Sequence, residues 1–475
     1  MIFTSYSYVA FLIGAFVVHW LLPERARKLF LVGASYFFYC SWRPAFGFLL
    51  LGLSLFDWAY GRWVLPRAKG AGPLVIGIAA NLLPLVYFKY AGFLVSNAAA
   101  LVEAVGGTWH PRIGDILLPI GVSFFTFQGM AYVIDVAAGE EPIDSAIDFL
   151  LFKVLWPQLI AGPIVRLSEM REQLSTPRRL EYDAVSEGSR RILFGMFKKV
   201  VLADALAPIV DSVYGSQALP HAADAVFATL AFGMQIYFDF SAYSDIAIGS
   251  ALLFGFRLPE NFDWPYLSRS PQEFWSRWHM TLSRWIRDYV FVPLTFATRD
   301  RPSLRPLWLL LAMALCGLWH GAAWTFVGWG VWHGLLLVLG QGPLKTLFAG
   351  RTSATTSSLR AAFAGAMTFV LVQAGWILFR ARTLTQAGDI VASILSLRGG
   401  FTPAILRVNG LMIVAFLFAL LLGAQTVKLL TLRYANAGRI PSLAIRVLAP
   451  VIYTAMLIAV IIFDQEARAF VYFQF

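Results

Sequence analysis

The chain has 475 residues, of which 59% are hydrophobic, 15% aromatic and only 14% charged, and its mean hydropathy is +0.67. That mix excludes an ordinary soluble globular domain and leaves no room for a sizeable soluble appendage; it describes a polytopic membrane protein. The formal net charge of +11 does not point to nucleic acid, because the lysines and arginines sit mostly in joints between apolar stretches, where they set topology and meet anionic lipid.

A bilayer-crossing helix needs roughly 20 apolar residues, and the recurrence of such stretches predicts an all-α chain of about 11 transmembrane helices, with re-entrant and interfacial pieces, in one membrane domain over residues 1–475. The first stretch, "MIFTSYSYVAFLIGAFVVHWLL", has no basic leader and no small-residue cleavage site, so it is expected to be a retained span. Basic joints follow at Arg25, Arg27 and Lys28, at Arg62, Arg67 and Lys69, from Arg166 to Arg191, at Arg299, Arg301 and Arg305, and at Arg433 and Arg439. Placing these in the cytoplasm leaves the N-terminus outside.

Residues 149–170, "FLLFKVLWPQLIAGPIVRLSEM", are apolar but carry Lys153, Pro157, Gly162 and Pro163 in quick succession, which predicts a re-entrant segment packed inside protein. Residues 234–249, "MQIYFDFSAYSDIAIG", crowd Asp239, Ser241, Ser244 and Asp245 into an apolar span. They are either a hydrogen-bonded scaffold or a polar cavity that touches substrate or relays protons. Asp135, Lys153, Lys198 and Lys199 are weaker cases, the lysines being expected to snorkel at span ends.

Residues 274–291 sort by helical periodicity into two faces, Trp275, Trp278, His279, Leu282, Ile286 and Tyr289 against Arg277, Thr281, Arg284 and Asp288. This predicts an interfacial amphipathic helix, with His279 on its apolar stripe and Arg277, Arg284 and Arg287 positioned for lipid head groups or donor phosphates. Residues 318–334, "LWHGAAWTFVGWGVWHG", hold His320 and His333 among four tryptophans. On one continuous helix the two would stand about 20 Å apart and roughly 220° around the axis, too far to act together. His279 is the partner that the chain can bring back to His320. "RTSATTSSLR" (351–360) reads as a polar linker, and two further spans are expected around 408–430 and 444–463.

Histidine suits intramembrane proton transfer because its unperturbed pKa is about 6.5, and a base on a hydroxyl is worth about 10² to 10⁴ in rate. The alternative for each is a core histidine satisfied by backbone. His320 and His279 stand first, His333 second, and His19, His110 and His221 last. Cys316, four residues before His320, raises a thioester intermediate against the plainer reading of a small buried hydrophobe. Cys40 and Cys316 give neither a disulfide framework nor metal spacing, so no metal is expected.

At these residues the sequence resembles the membrane-bound O-acyltransferases, in the branch of alginate O-acetyltransferases and D-alanyl transfer proteins. The matching stretches are "NLLPLVYFKYAGF" (81–93), "LPIGVSFFTFQGMAYVIDV" (118–136), "WPQLIAGPIVR" (156–166), "GMFKKVVLAD" (195–204), "IYFDFSAYSDIAIG" (236–249), "LPENFDWPYLSRSPQEFWSRWHMTLSRWIRDYVFVPL" (258–294), "GLWHGAAWTFVGWGVWHG" (317–334) and "GWILFRA" (375–381), all in family order. The resemblance implies helices around a central funnel that thins the membrane barrier, with an essential histidine at its floor. That histidine falls on His320 in "LWHG", and a second functional histidine, in "WHxTLS", falls on His279. Many eukaryotic members carry an asparagine there, so His279 points to the bacterial branch.

The activity that the resemblance implies is acetyl transfer in a bacterial inner membrane. A cytoplasmic thioester donor, acetyl-CoA, would meet an acceptor hydroxyl arriving from outside, with His320 as general base and His279 sharing or orienting the proton. The acceptor would be an exopolysaccharide, reached directly or through an extracytoplasmic relay transferase. D-alanyl transfer from a carrier-protein thioester is the nearest alternative. A transporter with buried Asp and Lys sites, and a non-catalytic partner of a secretion complex, stand further off.

Overall fold

A computed structural model of the chain describes residues 1–111, 114, 116–342, 356–399, 442–463 and 470–471. Among them all regular structure is helical. Five helices are long and apolar enough to cross a membrane, namely 44–67, 72–104, 222–253, 302–320 and 359–380, and four more apolar helices run 10–17 residues. The expected span at 444–463 coincides with helix Ser442–Phe463, while 408–430 lies outside the described residues. The polar linker expected at 351–360 is corrected in its second half, where helix Thr356–Arg380 has already begun; residues 351–355 are outside the described set.

Local chemistry sets the first turns. Ser5 accepts a hydrogen bond from the Tyr8 amide to start Tyr6–Leu21, and Pro23 and Pro44 sit where helices Glu24–Cys40 and Pro44–Ala59 begin. The basic joints at 25–28, 62–69 and 166–191 converge on one end of the bundle. Lys28 pairs with Asp148 at 2.7 Å, Arg62 pairs with Asp144, and Arg166 pairs with Asp288 at 2.8 Å. At the opposite end the Met1 amino group donates to Ser41 Oγ at 3.1 Å.

Residues 146–178 enter and leave at the basic end. Asp148 is held by Lys28, and the Arg178 carbonyl accepts from Arg27 Nη1 at 3.0 Å, both donors lying in one turn of helix 24–40. Between these points the chain passes through Trp156 and Leu159, which are buried, and the Trp156 amide donates to Ser35 Oγ at 3.2 Å.

The lysines expected to snorkel do not. Lys153 is 0% exposed and paired with Asp57, itself 0% exposed, with Asn81 Nδ2 donating to the other Asp57 oxygen at 2.7 Å. Lys198 and Lys199 are buried and paired with Asp245 and Asp239. A cation without water finds an anion, because leaving either alone costs several kcal/mol.

The 32-residue helix Ala222–Leu253 forms the spine and is buried along nearly its whole length. Helix Tyr182–Phe197 packs on it where two glycines meet: a Cβ on Gly188 would lie 2.8 Å from the Gly249 carbonyl, and one on Gly249 would lie 2.6 Å from that of Gly188. Only bare backbone fits that crossing.

Residues 274–291 are not one helix. Pro271–Arg277 ends at Trp278, His279 takes a left-handed conformation (φ 41°, ψ 54°), and Met280–Ile286 begins anew before a π-helical turn at Arg287–Phe291. The cause lies in Asn261. Its carbonyl accepts from the Met280 amide at 2.9 Å, and its Oδ1 accepts from Thr281 N at 3.2 Å and Thr281 Oγ1 at 2.9 Å, so it caps the second helix in place of the preceding turn. The predicted apolar stripe is nonetheless buried through Ile286. Thr281, expected on the polar face, is buried too, and accepts from the Ile164 amide at 3.1 Å.

Candidate active site

The stretch 318–334 folds as a hairpin rather than a single helix. Helix Arg305–His320 ends where Gly321 turns extended, and Trp324–Gln341 runs back beside it. Gly317 and Gly330 allow the contact, since a Cβ on either would strike the facing backbone at Phe326 or Met313. His320 and His333 therefore come to flank one ring, with His320–Trp329 and Trp329–His333 centroids each 5.0 Å apart.

The left-handed kink turns His279 toward the same place. The rings of His279 and His320 are 6.3 Å apart at 61°, and both are buried. Around them pack Phe240 at 4.7 Å from His279, Trp319 at 4.9 Å from His320, and Phe379 at 5.4 Å from His320. His279 Nδ1 lies 3.1 Å from Asn261 Oδ1. That oxygen can only accept, so Nδ1 carries the hydrogen and Nε2 is the basic nitrogen. Asn261 also donates to Ser244 Oγ at 3.2 Å, tying the histidine to the polar belt of helix 222–253.

Two cavities approach the pair from opposite ends. One, about 370 Å³, reaches His320 past Met1, Trp42, Lys89, Leu118 and Phe124. The other, about 520 Å³, reaches Asn261 past Arg191, Lys198, Ser241, Ser244 and Glu260. The second opens at the basic end, because residues 255–257 beside it are bonded to Arg178 and Gln173.

The remaining sequence candidates stand apart from the pair. His333 is enclosed by Trp275 at 5.3 Å and Phe274 at 6.0 Å, and neither ring nitrogen has a hydrogen-bond partner among the described residues. Cys316 is buried one turn before His320 and lines neither cavity. Asp239 pairs with Lys199 at 2.8 Å and accepts from the Val471 amide at 2.9 Å. Asp245 pairs with Arg191 at 2.9 Å and Lys198 at 2.5 Å, on the wall of the larger cavity. The arginines have carboxylate partners: Arg277 with Glu273 at 2.9 Å, Arg284 with Glu169 at 3.4 Å, Arg287 with Asp288 at 2.6 Å. Sequence periodicity missed Asn261, whose only signal was its place in the "LPENF" stretch.

A buried pair of histidines beside two cavities in an apolar helical bundle is an arrangement that can pass a proton to or from a small group. Comparison with known proteins assigns the class. Residues 143–374 match the membrane-bound O-acyltransferase family, and the chain belongs to that family: it is a multi-pass membrane enzyme, an O-acyltransferase. It is 36% identical to a probable alginate O-acetylase of Azotobacter vinelandii, over 100% of both chains. It is 32% identical to a peptidoglycan O-acetyltransferase of Helicobacter pylori, over 82% of this chain and 79% of that one. A teichoic acid D-alanyltransferase of Streptococcus thermophilus is 31% identical over 48% of this chain and 57% of its own.

Proposed function

We propose that the chain moves an acetyl group from a cytoplasmic thioester, acetyl-CoA, to hydroxyls of an extracytoplasmic polysaccharide, an alginate-like polymer being the first to test. The setting is a bacterial inner membrane, crossed by about 11 spans. The observation that carries this reading is the His279–His320 pair, 6.3 Å apart, lying between cavities that open at opposite ends. The donor enters by the cavity at the basic end and the acceptor by the other. Of the relatives above, those aligned over most of this chain transfer acetyl, and the D-alanyl relative aligns over about half, which ranks D-alanyl transfer second.

In the reaction the acceptor oxygen attacks the thioester carbonyl while the His320 imidazole takes its proton. The tetrahedral intermediate then collapses, the C–S bond breaks, and the proton passes to the departing thiolate, leaving an ester and free CoA thiol. His279, its Nδ1–H fixed on Asn261, presents Nε2 to share that proton. His333, Cys316, Asp239 and Asp245 are given no step: His333 is enclosed by Phe274, Trp275 and Trp329, Cys316 serves as a small buried hydrophobe, and the carboxylates are held in ion pairs. Arg287, 60% exposed at its side chain, is the arginine of the three best placed to meet lipid head groups.

The outward cavity is small and walled by Phe38, Trp42, Leu118 and Phe124. Such walls suit a single hydroxyl-bearing side chain or an acetyl group better than a hydrated sugar polymer, which favours a relay transferase outside the membrane over direct transfer. The test is transfer of labelled acetyl from acetyl-CoA in membranes holding the intact chain, His320→Ala or His279→Ala at matched levels. Loss of transfer in His320→Ala is expected; retained transfer overturns the assignment of the base.

A further inference from the structure

Helix Gly72–Leu85 carries Pro84 near its end and passes into a π-helical turn, Val86–Tyr90. Two consecutive residues of that turn reach the same neighbour. Lys89 Nζ donates to the carbonyls of Trp319 at 2.7 Å and His320 at 2.9 Å, and the Tyr90 hydroxyl donates to that of Leu318 at 3.0 Å. These are the last carbonyls of helix 305–320, the ones that a helix leaves without partners of its own. Water supplies such partners at a surface; in an apolar bundle a side chain has to, and a cation there also meets the negative end of the helix dipole. Lys89 lies 3.5 Å from Ser123 Oγ and shares the outward cavity with His320.

We infer that Lys89 is a positioning residue for acyl transfer: its ammonium, tied to the backbone of Trp319 and His320, fixes where the His320 imidazole stands at the floor of the outward cavity. Helix 305–320 ends at His320 itself, so no further helical turn holds that residue in place. The hairpin partner 324–341 braces the helix sideways through Gly317 and Gly330, whereas Lys89 and Tyr90 hold its tip.

The inference rests on the reading of His320 as the base, and the experiment separates the two. Acetyl transfer from labelled acetyl-CoA is measured for the full chain, His320→Ala, Lys89→Met, and Lys89→Cys before and after alkylation with 2-bromoethylamine, which rebuilds an ammonium at nearly the original reach. Lys89→Met is expected to lower kcat at least about tenfold with KM for acetyl-CoA held within about twofold, the signature of lost orientation rather than lost binding. Aminoethylation of Lys89→Cys is expected to restore most of kcat, with the same treatment of the unchanged chain, which carries Cys40 and Cys316, as control. Where Lys89→Met does not accumulate, the untreated and treated Lys89→Cys pair supplies the comparison. Unimpaired kcat in Lys89→Met, or alkylation shown complete by mass spectrometry without recovery, overturns the role of Lys89. If His320→Ala is inert while Lys89→Met is normal, only the positioning role falls; if His320→Ala stays active, the reading of the base falls.

Discussion

Asn261 Oδ1 stands 3.1 Å from His279 Nδ1 while also accepting from the amide and hydroxyl of Thr281, so one amide oxygen both sets the tautomer of the histidine and caps the helix that comes after it. Asn261→Leu removes both functions at once. Its kcat for acetyl transfer is expected to fall about 10- to 100-fold, a share of the 10² to 10⁴ that a positioned base supplies. Asn261→Asp, which keeps an accepting oxygen, should retain more activity than Asn261→Leu. Equal losses in the two would show that the oxygen does not matter.

His333 gives the opposite expectation. Its ring is fully buried against Phe274, Trp275 and Trp329 with both nitrogens lacking hydrogen bonds among the described residues. Replacing a buried unsatisfied polar ring by an apolar one of similar shape removes a penalty of about 1–3 kcal/mol. His333→Phe should therefore keep transfer within a few-fold and melt no lower than the parent in detergent. A 100-fold loss of transfer at normal stability would instead bring His333 into the proton path.

The Asp57–Lys153 pair, 0% exposed on both sides, predicts a strong asymmetry between single and double variants. Lys153→Met alone strands a buried carboxylate and is expected to cost about 3–5 kcal/mol. Asp57→Leu combined with Lys153→Met should recover much of that loss. Thermal unfolding in detergent measures it, and a double variant as unstable as the single would mean that the charges themselves are required.

At the crossing of helices 305–320 and 324–341, Gly317→Ala places a methyl group against the Phe326 carbonyl. The helices must part, carrying His320 with them. A displacement near 1 Å at a reacting group is worth about 10²-fold, so transfer should collapse in protein that still inserts and purifies as a single species. Normal kcat in Gly317→Ala would mean that the hairpin yields elsewhere.

Much of this arrangement was legible in the chain. The apolar stretches announced an all-helical membrane protein, and 40 intervening residues were enough to foresee that His279 and His320 can meet. Three things were not legible, each for a physical reason. Periodicity could not reveal the break at His279, because the group that caps the new helix is Asn261, remote in sequence and brought close only by the fold. The lysines at 153, 198 and 199 looked like snorkelling residues because hydropathy counts a charge but not its partner: Asp57, Asp245 and Asp239 lie far along the chain, and Asp204, which also pairs with Lys199, is near it in sequence but carries no sign of being its partner. Lys89 is not singled out by the sequence at all, since nothing local to "VYFKY" tells that the carbonyls of Leu318 to His320 end a helix beside it. Each was a matter of which buried dipole or charge finds which partner in three dimensions.

The aromatic packing about the histidine pair bears on the energy economy of the cell. Two cavities facing opposite ends, one reaching His320 and the other reaching Asn261 beside His279, resemble the two halves of a proton wire, and a wire joining the two compartments would drain the gradient that the membrane maintains. Phe240, Trp319, Trp329 and Phe379 pack against the two rings, and the polar side chains that continue from His279 are Asn261 and Ser244, on the wall of the other cavity. On the proposed reading, the 6.3 Å between the His279 and His320 ring centroids, packed about with aromatic side chains, is the break that keeps such a path from conducting between turnovers.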